Sequence, residues 1–323
     1  MTETVASAPG KLILLGEYAV LEGAPAVVLA VDRHARVTVK HGVSRNRIDA
    51  PQAGATDIGF KVTENGTEFA TADPALSERL ALVGTVLAAA RPASSLHIVT
   101  DTSDFYDHGA KMGFGSSAAL TVAAYAALTA RRPSLDRVVE LHRAAQHGRG
   151  SGCDVAASLN GGVQAYRIRD AVETMALQLP ADLHWRCVWT GKSASTTSFI
   201  RGLEQAEHRR AAMAALTDSA RARVAELGDT AQSWVHAIQE FTIDLQHFAR
   251  QTALPVFAGG HEELMAIGAR VGVVYKPSGA GGGDIGVALS TDGAAMAAFS
   301  AALDGAGARL LDPGLDRNGL TLG

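Results

Sequence analysis

The chain has 323 residues, more than one average domain, and its 47% hydrophobic content is enough to build two cores. With 29 Lys+Arg against 33 Asp+Glu the net charge is −4, so no global basic field points to nucleic acid or an anionic membrane surface. Any anionic ligand must be met by locally placed cations. The apolar stretch KLILLGEYAVLEGAPAVVLAV is broken by Lys11, Glu17 and Glu22, short of the roughly 20 apolar residues that span a bilayer. MTETVASAP does not read as a signal peptide, and Cys153 and Cys187 are too few for a disulfide scaffold. The expectation is a cytoplasmic protein acting on small molecules, without nucleic-acid or membrane partners, as a monomer or homodimer.

In chain order, residues 11–15 and 25–31 read as buried strands, and Val37 and Val39 alternate in a third. Residues 117–130 are nearly all helix formers, ending at Arg131, Arg132 and Pro133, where cations suit a helix C-terminus and proline stops propagation. A second helix is expected from Leu135 to Gln146. GGVQAYRI and WRCVWTG read as strands, and composition changes near residue 180. Residues 197–251 turn helical, with apolar positions three and four apart in SWVHAIQEFTIDLQHFA. A helix around 260–270, a glycine-rich loop at 279–283, the strand IGVALS and the helix DGAAMAAFSAAL complete the chain. This alternation predicts an α+β architecture with lobes at 1–180 and 181–323.

The stretch KMGFGSSAAL at 111–120 sets two glycines and two serines ahead of a helix. Such a turn exposes unpaired N–H groups at the positive end of the helix dipole and can hold phosphate. A plain Ser-capped core helix is the alternative. Two other motifs lack their context: GKS at 191–193 has Arg186 where a Walker A loop needs glycine, and GGGDIG at 281–286 leads into a strand instead of a helix.

APGKLILLGEYAV at 8–20, GFGSSAA at 113–119 and KPSGAGGGD at 276–284 occur in that order, and together they resemble the three motifs of the GHMP kinases. Within that superfamily the chain is most similar to the phosphomevalonate kinases. Tyr18 stands in GEYAV where mevalonate kinases usually carry histidine, and Lys111 directly precedes the glycine-serine loop. GSGCDVAASLNGG at 150–162 and WTGKSAST at 189–196 also resemble phosphomevalonate kinase segments. Mevalonate kinase carries a magnesium-binding glutamate eleven residues before its active aspartate, and Arg143 takes that place here.

The resemblance implies a two-lobed GHMP kinase fold, with a ribosomal protein S5 domain 2-like N-terminal lobe and a ferredoxin-like C-terminal lobe. It implies ATP and Mg²⁺ as cofactors, with 5-phosphomevalonate as phosphoryl acceptor. Lys11, Asp154 and Lys111 are the expected catalytic residues, Asp154 acting either as base or as orienter of Lys11. Gly113, Gly115, Ser116, Ser117 and Ala118 are expected at the nucleotide phosphates, with Ser116 or Ser117 near the metal. The expected acceptor contacts are Glu17, Tyr18, Arg143, His147, Arg149, Ser151, Ser195, Thr196, Ser278, Gly279, Ala280 and Gly281. For Glu17 a structural hydrogen bond is an equal alternative, and for Ser195 and Thr196 loop capping. A mevalonate or other small-alcohol kinase, a non-catalytic protein of the same fold, and a phosphorylating decarboxylase are the competing functions.

Overall fold

The computed structural model describes residues 2–148, 150–194 and 196–323. Two sheets organise them. The first has nine strands among the described residues, in the order Val172–Leu177, Val163–Ile168, Ala26–His41, Leu96–Asp101, Arg47–Ala50, Ala55–Thr63 and Gly66–Phe69. Glu3–Leu15 lies along Ala26–His41 and carries the terminal pair Thr321–Leu322 on its other side. The second sheet is antiparallel, in the order Val274–Pro277, Ile285–Ser290, His184–Trp189 and Arg309–Leu311. Helices pack beside both sheets, so the architecture is the expected α+β type.

The strands read at 25–31 and around Val37 are one strand, Ala26–His41. The polar run Asp32 to His34 looked like a break, but the chain stays extended because other segments accept its backbone. The Asp32 amide donates to Gly314 O at 3.0 Å and the His34 amide to Asp104 Oδ2 at 3.2 Å. Similarly, the region 197–251 is three helices, Thr196–Gln205, Arg209–Ala225 and Ala231–Thr252. The last presents Trp234, Ile238, Phe241, Leu245 and Phe248 as one buried stripe, the three-and-four spacing seen in the sequence.

Two helices place the site. Ser116–Thr129 is buried on nearly every side, with Ala118, Ala119, Val122, Ala123, Ala126 and Ala127 sealed from solvent. Small side chains let it sit between the first sheet and its covering helices. It ends within a residue of expectation, at Ala130 with φ 51°. Leu135–Ala145 begins at Ser134, whose side chain caps Arg137 N. No described helix is long and apolar enough to cross a membrane.

Candidate active site

The three motifs meet where the lobes touch. Strand Glu3–Leu15 brings Lys11 against the glycine-serine loop, and the Lys11 amide donates to Phe114 O at 2.8 Å. The Lys11 side chain is buried, and its Nζ lies 3.7 Å from Asp154 Oδ2. Asp154 comes from the first turn of helix Cys153–Asn160, its Oδ1 receiving the Cys153 thiol at 3.4 Å. Burial raises the pKa of that thiol, keeping it protonated.

Gly115 adopts φ 79°, and a methyl group there would lie 3.0 Å from Lys11 Cε and 3.5 Å from Asp154 Oδ2. Glycine is therefore needed both for the turn and for the approach of the lysine. Beyond it the amides of Ser116 and Ser117 have no intrahelical acceptor, and no side chain caps this end. Lys111 stands at the rim, on the short strand Ala110–Lys111. Solvent reaches its side chain, yet the surrounding protein holds its ammonium below the ordinary lysine value, an effect that Asp284 opposes and Lys11 reinforces. Two cations thus flank one loop of free N–H groups, an arrangement suited to phosphate.

Ser117 Oγ is 3.0 Å from Nε2 of His142, which also lies 3.0 Å from the Gln146 amide nitrogen. His142 is buried, its Nδ1 has no partner, and burial keeps its pKa below the usual range. Ser116 is itself buried. Arg143 is half-buried near the Tyr166 hydroxyl, which it pulls against the upward push of burial. That hydroxyl donates to Ser151 O at 2.6 Å. His147 is exposed in the following turn. Arg149, Ser195 and the side chain of Thr196 lie outside the described residues.

The third motif docks on the first. Ser278 Oγ accepts from the Ile13 amide at 2.7 Å, and the Tyr18 hydroxyl donates to Ala280 O. Lys276 pairs with Glu17, the two being 0% and 1% exposed. Glu17 Oε1, the Tyr18 hydroxyl and Ser278 Oγ, from residues expected at the acceptor, therefore have partners within the protein, and these bonds join the lobes. Gly279 faces Lys11, where an added methyl would stand 3.8 Å from Nζ. Gly281 packs on the carbonyl of Val256.

Asp284 escaped the sequence reading. It follows three glycines, adopts φ 58°, and its side chain lies against Gly113, where a methyl would come within 2.6 Å of its Cβ. Burial raises its pKa, opposed by the Ala194 amide and by Lys11 and Lys111. The only sequence signal was a lone carboxylate inside a glycine-rich loop.

The GHMP kinases N terminal domain model matches residues 82–162. A phosphomevalonate kinase from Streptomyces sp. is 32% identical over 338 residues, covering 88% of this chain and 89% of that protein. A mevalonate kinase from Aeropyrum pernix is 32% identical over 169 residues, 50% of each chain. Among solved structures, a Listeria innocua protein superposes with TM-score 0.83 at 21% identity over 100% of this chain and 99% of its own. The Streptococcus pneumoniae phosphomevalonate kinase, in complex with phosphomevalonate and AMPPNP, gives 0.73 at 18% identity over 96% and 99%. The fold is shared with both, and the sequence match along most of both chains shows that this protein belongs to the GHMP kinases.

Proposed function

We propose that this GHMP-type phosphotransferase moves the γ-phosphoryl group of ATP onto the phosphate of 5-phosphomevalonate, giving 5-diphosphomevalonate and ADP in the mevalonate pathway of isoprenoid biosynthesis. The observation that carries this reading is the convergence of Lys11, Lys111 and Asp154 on the loop Gly113–Ser117, in a chain that matches a phosphomevalonate kinase over 88% of its length.

Phosphoryl transfer asks a protein mainly for position and charge neutralisation. A phosphomonoester has its second pKa near about 6, so at neutral pH the acceptor is largely dianionic and already nucleophilic. No strong base is needed. Asp154, in ion-pair reach of Lys11 and hydrogen-bonded by Cys153, then serves to aim the lysine at the transferred group. Lys111 and the amides of Gly113 to Ser117 hold the ATP phosphates. Arg143, near Tyr166, supplies positive charge for the acceptor's own phosphate, and His147, Arg149, Ser195 and Thr196 complete the proposed acceptor side.

Mg²⁺ fits this donor set. Such a hard cation is bound mostly by substrate phosphates and water, with one or two protein oxygens. Ser116 or Ser117 would supply such an oxygen, Ser117 being the one oriented by His142. When bound, the ion neutralises charge on the nucleotide phosphates.

The second reading, mevalonate as acceptor, draws on the match to mevalonate kinases over half the chain and would make Asp154 a base. Arg143 argues against it, standing where mevalonate kinases carry a magnesium-binding glutamate. Phosphorus NMR of the product separates the two, since a diphosphate with coupled resonances is expected and a lone phosphomonoester would refute the proposal.

A further inference from the structure

The segment from Thr190 to Ala194 follows strand His184–Trp189 and runs beside Lys111. Four of its hydrogen bonds run to one residue, Asp284. The Thr190 amide and hydroxyl both donate to Asp284 O, at 2.9 and 3.1 Å. The Asp284 amide donates to Lys192 O at 2.6 Å, and the Ala194 amide to Asp284 Oδ1 at 3.0 Å. Farther along, Ser193 Oγ donates to Lys111 O at 3.3 Å. On its other side Asp284 packs on Gly113 of the phosphate loop.

A carboxylate is an unexpected group beside a loop built to receive polyanions, because it repels them. It earns its place only through what it holds. Here one oxygen fixes Ala194, and the charge lies in the field of Lys111 and Lys11 without a direct ion pair to either among the described residues.

We propose that Asp284 is a positioning residue that clamps the Thr190–Ala194 segment against the glycine-serine loop and over Lys111, so that acceptor binding, more than nucleotide binding, depends on it. The clamp stands on geometry alone. Its consequence for the acceptor rests on the function proposed above.

The test uses Asp284→Asn, which keeps an oxygen for the Ala194 amide and tolerates the positive φ, and Asp284→Ala, which removes that acceptor. Hydrogen exchange in the full-length protein is read at residues 190–194, without substrate. Exchange at Ala194 should accelerate at least about tenfold in Asp284→Ala and much less in Asp284→Asn, since only the former loses a protecting bond. Steady-state assays should show KM for 5-phosphomevalonate rising about tenfold in Asp284→Ala, with KM for ATP changing less than about threefold and the Asn variant largely rescued. Unchanged exchange in Asp284→Ala overturns the clamp. Equal increases in both KM values overturn its link to the acceptor. Should Asp284→Ala not fold, Asp284→Gly, which suits φ 58°, replaces it. A wild-type protein inactive toward 5-phosphomevalonate would refute the proposed function and leave exchange to decide the clamp.

Discussion

Glu17 of the first motif and Lys276 of the third form an ion pair sealed between the two lobes. Lys276 Nζ also donates to Pro277 O at 2.6 Å, while Glu17 Oε2 has no partner. Burial works to lower the Lys276 pKa, and Glu17 opposes it. Truncating one member leaves the other charge unpaired, so Glu17→Ala should cost about 3–5 kcal/mol, measured by denaturant unfolding. The double variant Glu17→Met, Lys276→Met should recover most of that loss, since a buried pair replaced by apolar groups is often nearly neutral. If Glu17→Ala weakened acceptor binding while stability held, the residue would be a substrate contact and not a staple.

Lys11 and Asp154 divide the proposed chemistry. Lys11→Met removes the buried cation at the transferred group, and kcat should fall about 10³-fold. Asp154→Asn keeps the size of the side chain and loses its charge. With a dianionic phosphate as nucleophile, kcat should fall only about 10- to 100-fold, at or below the low end of the range for removing a general base. A loss of about 10⁴-fold would mean that Asp154 takes a proton and that the acceptor is an alcohol.

Gly115 makes a local prediction. Alanine there would meet Lys11 Cε at 3.0 Å on a backbone of φ 79°. The lysine must shift by a few tenths of an ångström, so Gly115→Ala should lower kcat/KM about 10-fold, misplacement of reacting groups being costly. A modest stability loss, about 1–2 kcal/mol for the left-handed backbone, together with lowered activity is the expected pair of results.

His261 lies fully buried between the Tyr275 hydroxyl and Gly283 O, both at 2.9 Å. It supports the glycine run of the third motif from behind, and burial pushes its pKa down to about 4 from the ordinary 6.5. Between these values the unfolded chain binds the proton that the folded protein refuses. Its contribution is therefore fully present above about pH 6.5 and is lost as pH falls toward 4, by as much as about 3 kcal/mol. Buried His142 acts in the same direction. Unfolding free energy measured from pH 7 to 4 should fall, with a shallower slope in His261→Gln. Equal slopes would remove His261 from the account.

Much of this was legible in the sequence because local chemistry announced it. The glycine-serine loop and the helix behind it, the capped helix from Leu135 and the apolar stripe of Ala231–Thr252 each follow from turn residues or periodicity. The helix Pro74–Ala90 was readable and went unread. Asp73 caps it, Pro74 starts it, and Leu76, Leu80, Val83 and Leu87 line one buried face. Other features were not local. That Lys276 meets Glu17, Tyr18 reaches Ala280 and Ser278 holds Ile13 depends on how two lobes dock, across more than 250 residues of chain. Asp284 and His142 likewise look ordinary until the fold surrounds them with lysines and a loop hydroxyl.

The most direct test of the central claim is ADP release by the purified protein with Mg-ATP, comparing 5-phosphomevalonate with mevalonate, homoserine, galactose and no acceptor. The account predicts turnover with 5-phosphomevalonate alone. Turnover with mevalonate or another alcohol in its place would contradict it.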